Sequence, residues 1–191
     1  MPKLYFRYGT MSSSKTANLL MVAHNYKLQG KSVLLIKPIL DDRFGEKIKS
    51  RCGLESEVDY LLEKDDSYLR YLDADILKKL DAILVDESQF LTKNQVDTLR
   101  NISFSIPVLC YGLRTDYKTN LFEGSKRLME IADTIEEIKT TCYFCNKKAT
   151  VNLKFRNNLI IKDGSNDIEL GTEDKYLCSC FQCWNNKITI I

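Results

Sequence analysis

Leu4-Tyr5-Phe6-Arg7-Tyr8-Gly9-Thr10-Met11-Ser12-Ser13-Ser14-Lys15-Thr16 is an apolar and aromatic run that stops at a glycine and gives way to a serine-rich loop ending in Lys-Thr. A short run of this kind bounded by glycine reads as a strand. Ser13 or Ser14 can cap the helix that follows, whose Leu19, Leu20, Val22 and Ala23 form an apolar face ahead of a Gln29-Gly30 stop. Between strand and helix, Gly9 to Thr16 fits G-x-x-x-x-G-K-[ST] at every fixed position except the second glycine, where Ser14 stands. Loops of this type surround phosphate oxygens with backbone N–H groups and a helix N-terminus. The lysine neutralises charge on the β- and γ-phosphates, and the hydroxyl of Thr16 is placed to ligate Mg2+. Ser14 carries a cost if its site demands positive φ.

Outward from this unit the same alternation continues. Ser32-Val33-Leu34-Leu35-Ile36, Ala82-Ile83-Leu84-Val85 and Val108-Leu109-Cys110-Tyr111 are continuous apolar runs suited to strands covered on both faces, and Thr134 to Ile138 is a weaker fifth candidate. Helical patterns lie between them, over Ser67 to Lys79, Thr92 to Asn101 and Phe122 to Ala132. Buried strands alternating with helices predict an α/β fold, a parallel sheet flanked by helices. The pattern ends near Lys139. The expected division is a P-loop ATP-binding α/β domain over 1–139 and a small zinc-bound, β-rich module over 140–191.

The third of these strands ends in Asp86-Glu87, two carboxylates at the C-terminal edge where parallel sheets place their ligand crevice. Asp86 is positioned to hold Mg2+ through a water, and Glu87 to take a proton from an attacking hydroxyl. His24 is the only histidine and lies inside the first helix, so histidine-based nucleophilic schemes have little support.

The chain has 191 residues, 44% hydrophobic and 28% charged, with a formal net charge of +2. That is ordinary globular composition, too nearly neutral to argue for a nucleic-acid or membrane partner. Cysteine is the exception, with seven residues, five of them after position 140. Cys142-x-x-Cys145 and Cys180-x-x-Cys183 form two knuckles whose four thiolates suit tetrahedral Zn2+ with no open position, a structural site. A redox pairing competes less well because two such pairs coexist. Cys178 is read as a free thiol, and Cys52 and Cys110 as small buried hydrophobes. No signal peptide or membrane-length apolar stretch is present, and the expected compartment is the cytoplasm.

These parts, in this order, resemble the type II thymidine kinases, P-loop deoxynucleoside kinases with a zinc-bearing lasso. The resemblance covers nearly the whole chain. Gly9 to Thr16 is close to the family's G-P-M-F-S-G-K-[ST], Lys37-Pro38-x-x-Asp41-Asp42-Arg43-Phe44 to its K-P-x-x-D-x-R-[YF], and Asp86-Glu87-Ser88-Gln89-Phe90 to its D-E-x-Q-F. Tyr111 to Tyr117, Phe122 to Ser125, the four cysteines and Lys175-Tyr176 continue it.

The resemblance implies transfer of the ATP γ-phosphoryl group to the 5′-hydroxyl of thymidine, giving dTMP for DNA precursor synthesis. It implies Glu87 as general base, and an ATP site formed by Gly9, Thr10, Met11, Ser12, Ser13, Ser14, Lys15, Thr16, Arg43, Asp86 and Gln89. It places Mg2+ at Thr16, Asp86 and Asp41. For the nucleoside it implies Met11, Phe90, Leu113, Tyr117 and Phe122 around the base, Tyr176 at the sugar, and the backbone of Ile168, Glu169, Leu170 and Gly171 along the base edge. A homotetramer and feedback inhibition by dTTP are likewise implied, with neither nucleic acid nor membrane as partner. Ser12, Ser14 and Arg51 stand where the family usually has Phe, Gly and His. Two alternatives stay open: a kinase for another deoxynucleoside or a nucleotide monophosphate, and a zinc-ribbon ATPase that binds nucleic acid. The second is weakened because Lys147, Lys148, Lys154 and Arg156 are accompanied by Asp163, Asp167, Glu169, Glu173 and Asp174.

Overall fold

A computed structural model of the chain describes residues 3–40, 45–64, 68–162 and 176–190. The first unit is β1 (Leu4–Tyr8) and α1 (Lys15–Leu28), followed by β2 (Val33–Pro38). Three short strands come next, β3 (Lys47–Lys49), β4 (Glu55–Glu57) and β5 (Tyr60–Leu62), then the helical turn α2 (Ala74–Leu77) and β6 (Ala82–Val85). Helix α3 (Lys93–Ile102), β7 (Val108–Gly112), α4 (Glu123–Ile131) and β8 (Thr134–Glu137) complete the larger sheet. Beyond it lie β9 (Val151–Arg156), β10 (Leu159–Ile161), β11 (Tyr176–Ser179) and the short helix α5 (Phe181–Asn186).

Six of the described strands form one sheet in the order β5-β2-β6-β7-β1-β8. Every pairing in it is parallel, for example Leu4 beside Val108 and Leu35 beside Leu84. The apolar runs are continuous because both faces are covered. Phe6, Ile83, Val85, Val108 and Cys110 pack against Val96 and Leu99 of α3 and Leu128 of α4. Their neighbours in sequence, Leu35, Leu84, Leu109 and Tyr111, face Leu19, Leu20 and Ala23 of α1. Period-two alternation thus divides single apolar strands between two cores. The chain leaves β1 toward one side of the sheet and β7 toward the other, so the crevice opens at the C-terminal ends of these strands and of β6. The strands β10-β9-β11 form a second, three-stranded antiparallel sheet, and β3 pairs with β4 in a hairpin.

Two readings need correction. The helix expected over Ser67 to Lys79 is divided into a 3-10 turn, Tyr68–Tyr71, and α2, because the Asp73 carboxylate accepts the N–H groups of Asp75 and Ile76 and starts a new helix there; Ser67 is outside the described residues. Cys52 is exposed, with its sulfur 3.2 Å from Ser50 Oγ, whereas Cys110 is buried as expected. Strand β5 at the sheet edge was not anticipated, since three residues between Asp59 and Glu63 carry little pattern.

Candidate active site

The phosphate-type loop runs from the end of β1 to the start of α1. Gly9 is required by close approach, since a Cβ there would lie 2.5 Å from the carbonyl oxygen of Ile138. Ser12 and Ser14 both have positive φ, +61° and +63°. Of the two serines read as possible caps, Ser14 occupies the N-cap position of α1, in the left-handed conformation and without a capping bond from its side chain. Lys15 Nζ donates to the Thr10 carbonyl at 2.7 Å, which folds the ammonium over the loop. Thr10 Oγ1 and Ser13 Oγ are buried without a hydrogen-bond partner among the described residues. Hydroxyl donors left over beside a helix N-terminus and an ammonium fit the phosphates of a nucleotide.

Beside the loop, β6 delivers its carboxylates. Thr16 Oγ1 lies 3.1 Å from Asp86 Oδ2, the hydroxyl–carboxylate pair a divalent cation would use. Burial first, and then the charge of Glu87, push the Asp86 carboxyl up to about 7. Glu87 itself has φ +49°, a strained conformation that turns the chain from β6 into the 3-10 turn Ser88–Phe90.

That turn is held from two sides by glycines. A Cβ at Gly112 would meet Ser88 Oγ and Gln89 Oε1 at 2.7 Å, and one at Gly124 would meet the Ser88 carbonyl oxygen at 2.5 Å. Gln89, 2% exposed, has both ends of its amide engaged. Its Nε2 donates to Glu87 Oε2 at 2.5 Å and its Oε1 accepts from the Leu113 N–H at 2.9 Å. The Gln89 amide thus links the candidate general base Glu87 to Leu113.

The residues expected around a nucleoside fall into linked groups. Phe90 and Phe122 meet edge to face with ring centroids 5.9 Å apart. Tyr117 and Tyr176 are bridged by Lys154, whose Nζ is 5.2 Å from one ring centroid and 6.0 Å from the other. Lys154 is 5% exposed, and sequence reasoning missed it. Asn152 was missed as well: its Oδ1 accepts from the Met11 N–H at 2.8 Å and its Nδ2 lies 3.4 Å from the Thr115 carbonyl. The available signal was a polar Asn and a Lys inside the apolar run Val151-Asn152-Leu153-Lys154. Arg51 donates to Ser12 Oγ, joining two positions where the sequence departs from the usual pattern. Asp41, Arg43, Ile168, Glu169, Leu170 and Gly171 lie outside the described residues.

The sulfurs of Cys142, Cys145, Cys180 and Cys183 all lie within 4.8 Å of one another. Cys145 Sγ is 3.8 Å from Cys180 Sγ and 3.7 Å from Cys183 Sγ. Zinc–sulfur bonds of about 2.3 Å directed to a tetrahedron put sulfurs roughly 3.8 Å apart, so the donor set fits the ion. Against the desolvation that would raise it, the N–H groups of Cys180, Phe144 and Cys145 and the Cys145 thiol bring the Cys142 thiol down to about 6. Desolvation and the neighbouring thiols push Cys183 up to about 12. Cys178 takes no part; its buried thiol donates to the Thr141 carbonyl at 3.4 Å.

A sequence model of the thymidine kinase family, described as "Thymidine kinase", matches residues 2–184. The chain belongs to the thymidine kinase family. It is 41% identical over 189 residues to a thymidine kinase of Streptococcus thermophilus, covering 97% of this chain and 95% of that one. A thymidine kinase of Pasteurella multocida is 41% identical over 194 residues with both chains fully covered. One from Encephalitozoon cuniculi is 41% identical over 191 residues, covering 96% of this chain and 87% of the other. Family membership accounts for the phosphate-type loop, the paired carboxylates and the cysteine knuckles occurring in one chain. No described helix is long and apolar enough to cross a membrane.

Proposed function

We propose that this chain is an ATP-dependent kinase that phosphorylates the 5′-hydroxyl of thymidine. The observation that carries this reading is the convergence, at the C-terminal ends of the strands of the six-stranded sheet, of the phosphate-type loop, Thr16 beside Asp86, and Glu87 held by Gln89. In this reading the loop from Gly9 to Thr16 binds the ATP phosphates, joined by Arg43, and Lys15 swings from the Thr10 carbonyl to the γ-phosphate. Thr16 and Asp86, with Asp41, would hold Mg2+, which neutralises phosphate charge when bound. Glu87 accepts the proton of the 5′-hydroxyl. Gln89 fixes the Glu87 carboxylate and, through the Leu113 N–H, ties its orientation to the wall of the base pocket. Met11, Phe90, Leu113, Tyr117 and Phe122 enclose the base and Tyr176 reaches the sugar, with Ile168, Glu169, Leu170 and Gly171 as the further nucleoside contacts of this proposal.

Zinc at the four cysteines would join the two ends of the segment 146–179. The division into an ATP-binding domain over 1–139 and a zinc module over 140–191 is supported by the separate sheet β10-β9-β11. A homotetramer, feedback inhibition by dTTP and a cytoplasmic location belong to the same proposal and rest on family membership. The test is transfer of labelled γ-phosphate from ATP to a panel of deoxynucleosides with Mg2+ present. Thymidine is expected to be the preferred acceptor, and no labelled dTMP would overturn the reading.

A further inference from the structure

Asn152 stands where three parts of the molecule meet. It belongs to β9, in the sheet that carries the cysteine knuckles, yet its side chain points out of that sheet's own hydrogen-bonding scheme. Its Oδ1 accepts the N–H of Met11 in the phosphate-type loop, and its Nδ2 faces the carbonyl of Thr115 in the connection after β7. At 4% exposure it is buried, and these two backbone groups are the partners its amide has among the described residues. In the β9–β11 ladder the partner of Asn152 is Cys178, two residues before the cysteine ligand Cys180. Thr150 is anchored on both sides, through its N–H to the Ser179 carbonyl at 2.8 Å and through its carbonyl to Arg114 Nη2 at 3.0 Å. A rigid path of a few bonds thus runs from the four-sulfur cluster, through β11 and Asn152, to Met11.

We infer that Asn152 is a positioning residue, a latch that sets the phosphate-type loop against the zinc-bearing sheet and makes the loop's affinity for ATP depend on the order of that sheet. The physical reason is local. Ser12 and Ser14 hold the loop in left-handed conformations that non-glycine residues adopt at a cost. A buried backbone N–H without an acceptor adds to that cost, so removing Asn152 Oδ1 favours rearrangement of Met11 and the residues that follow it. The inference extends the kinase reading from the cysteine cluster to the nucleotide side of the same site.

The test is isothermal titration of the full-length protein with the magnesium complex of a non-hydrolysable ATP analogue, without thymidine. Asn152→Leu keeps the branching of the side chain and removes the acceptor, and is expected to weaken analogue binding about tenfold. Asn152→Asp still accepts from the Met11 N–H and is expected to stay within about threefold of wild type, a rescue that a general packing defect would not show. Stripping zinc from the wild type with a chelator is expected to weaken the analogue to the level of Asn152→Leu and to have no further effect on that variant. Unchanged affinity in Asn152→Leu overturns the latch. Should that variant fail to fold, unchanged affinity in the chelated wild type overturns it instead. A wild type that binds the analogue with these shifts but phosphorylates no thymidine would fail the kinase reading and keep the latch.

Discussion

Ser14 sits at φ +63° in the loop position where glycine satisfies the phosphate-loop pattern, and it makes no side-chain bond in return. A left-handed conformation costs a non-glycine residue about 1 kcal/mol. Ser14→Gly is therefore expected to stabilise the protein by up to about 1 kcal/mol, a rise of roughly 2–4 °C in thermal midpoint for a chain of this size. A fall in midpoint would show that the serine makes a contact worth more than the strain. Glu87 is a second residue held at positive φ, and there the strain aims a carboxylate. Glu87→Gln is expected to lower kcat by about 10²-fold or more while leaving ATP-analogue affinity within about twofold. Full turnover would remove Glu87 from the chemistry. For Asp86 the sign follows from burial. Its pKa is raised in the fold to about 7, so the stability linked to its proton is complete below the ordinary carboxylate range and is lost as pH rises toward 7. Asp86→Asn should raise the melting temperature of metal-free protein more at pH 8 than at pH 5. On the proposed reading Mg2+ would compete with the same proton, so wild-type Mg2+ affinity should fall by up to about tenfold per unit of pH below 7. Magnesium titrations at pH 6 and pH 8 that agree would refute this.

Among the elements, the 3-10 turn Ser88–Phe90 is closely confined by its neighbours. Gly124 brings the start of α4 so close that a methyl group would meet the backbone carbonyls of Ser88 and Leu91 at 2.5 and 2.7 Å. Neither is a flexible side chain, so Gly124→Ala must displace the helix or the turn, at a cost of about 1–3 kcal/mol. Because the turn carries Gln89, kcat should fall about tenfold alongside the loss seen in a denaturant melt. A variant less stable yet fully active would show that Glu87 does not depend on the turn. The legibility of each element follows the same physics. Strands β1, β2, β6 and β7 announce themselves as apolar runs because they are covered on both faces. The β3–β4 hairpin does not, since Lys47-Ile48-Lys49 pairs with Glu55-Ser56-Glu57 and only Ile48 among these six residues is buried, so neither strand carries an apolar run. The phosphate-type loop, Asp86-Glu87 and the cysteines were legible because their chemistry demands fixed residues at fixed spacing. Asn152, Lys154 and the bridging role of Gln89 acquire meaning only where distant segments meet, and no local pattern marks that.

At the scale of the whole molecule, the question is whether the cysteine-bearing sheet is a separable module or part of the core. Trp184, the only tryptophan in the chain, follows Cys183 directly and is placed to report on it. Its Nε1 donates to the Tyr117 carbonyl at 2.9 Å, and its ring stacks on Phe181 with centroids 5.4 Å apart. The six-stranded sheet with α1, α3 and α4 has its own two cores, whose buried residues come from 4–128. Chelation of the zinc proposed at the four cysteines, or Cys145→Ser, would undo the cluster that joins the ends of 146–179 but touch no residue of those cores. The expected result is therefore two separate transitions. Tryptophan emission should shift to the red and thymidine affinity should fall together at the lower chelator concentration or temperature, while far-UV circular dichroism of the α/β core persists. Loss of circular dichroism in the same transition as the tryptophan signal would show one cooperative unit, with the hydrogen bonds from Arg114, Asn152 and Trp184 binding the two sheets into a single fold.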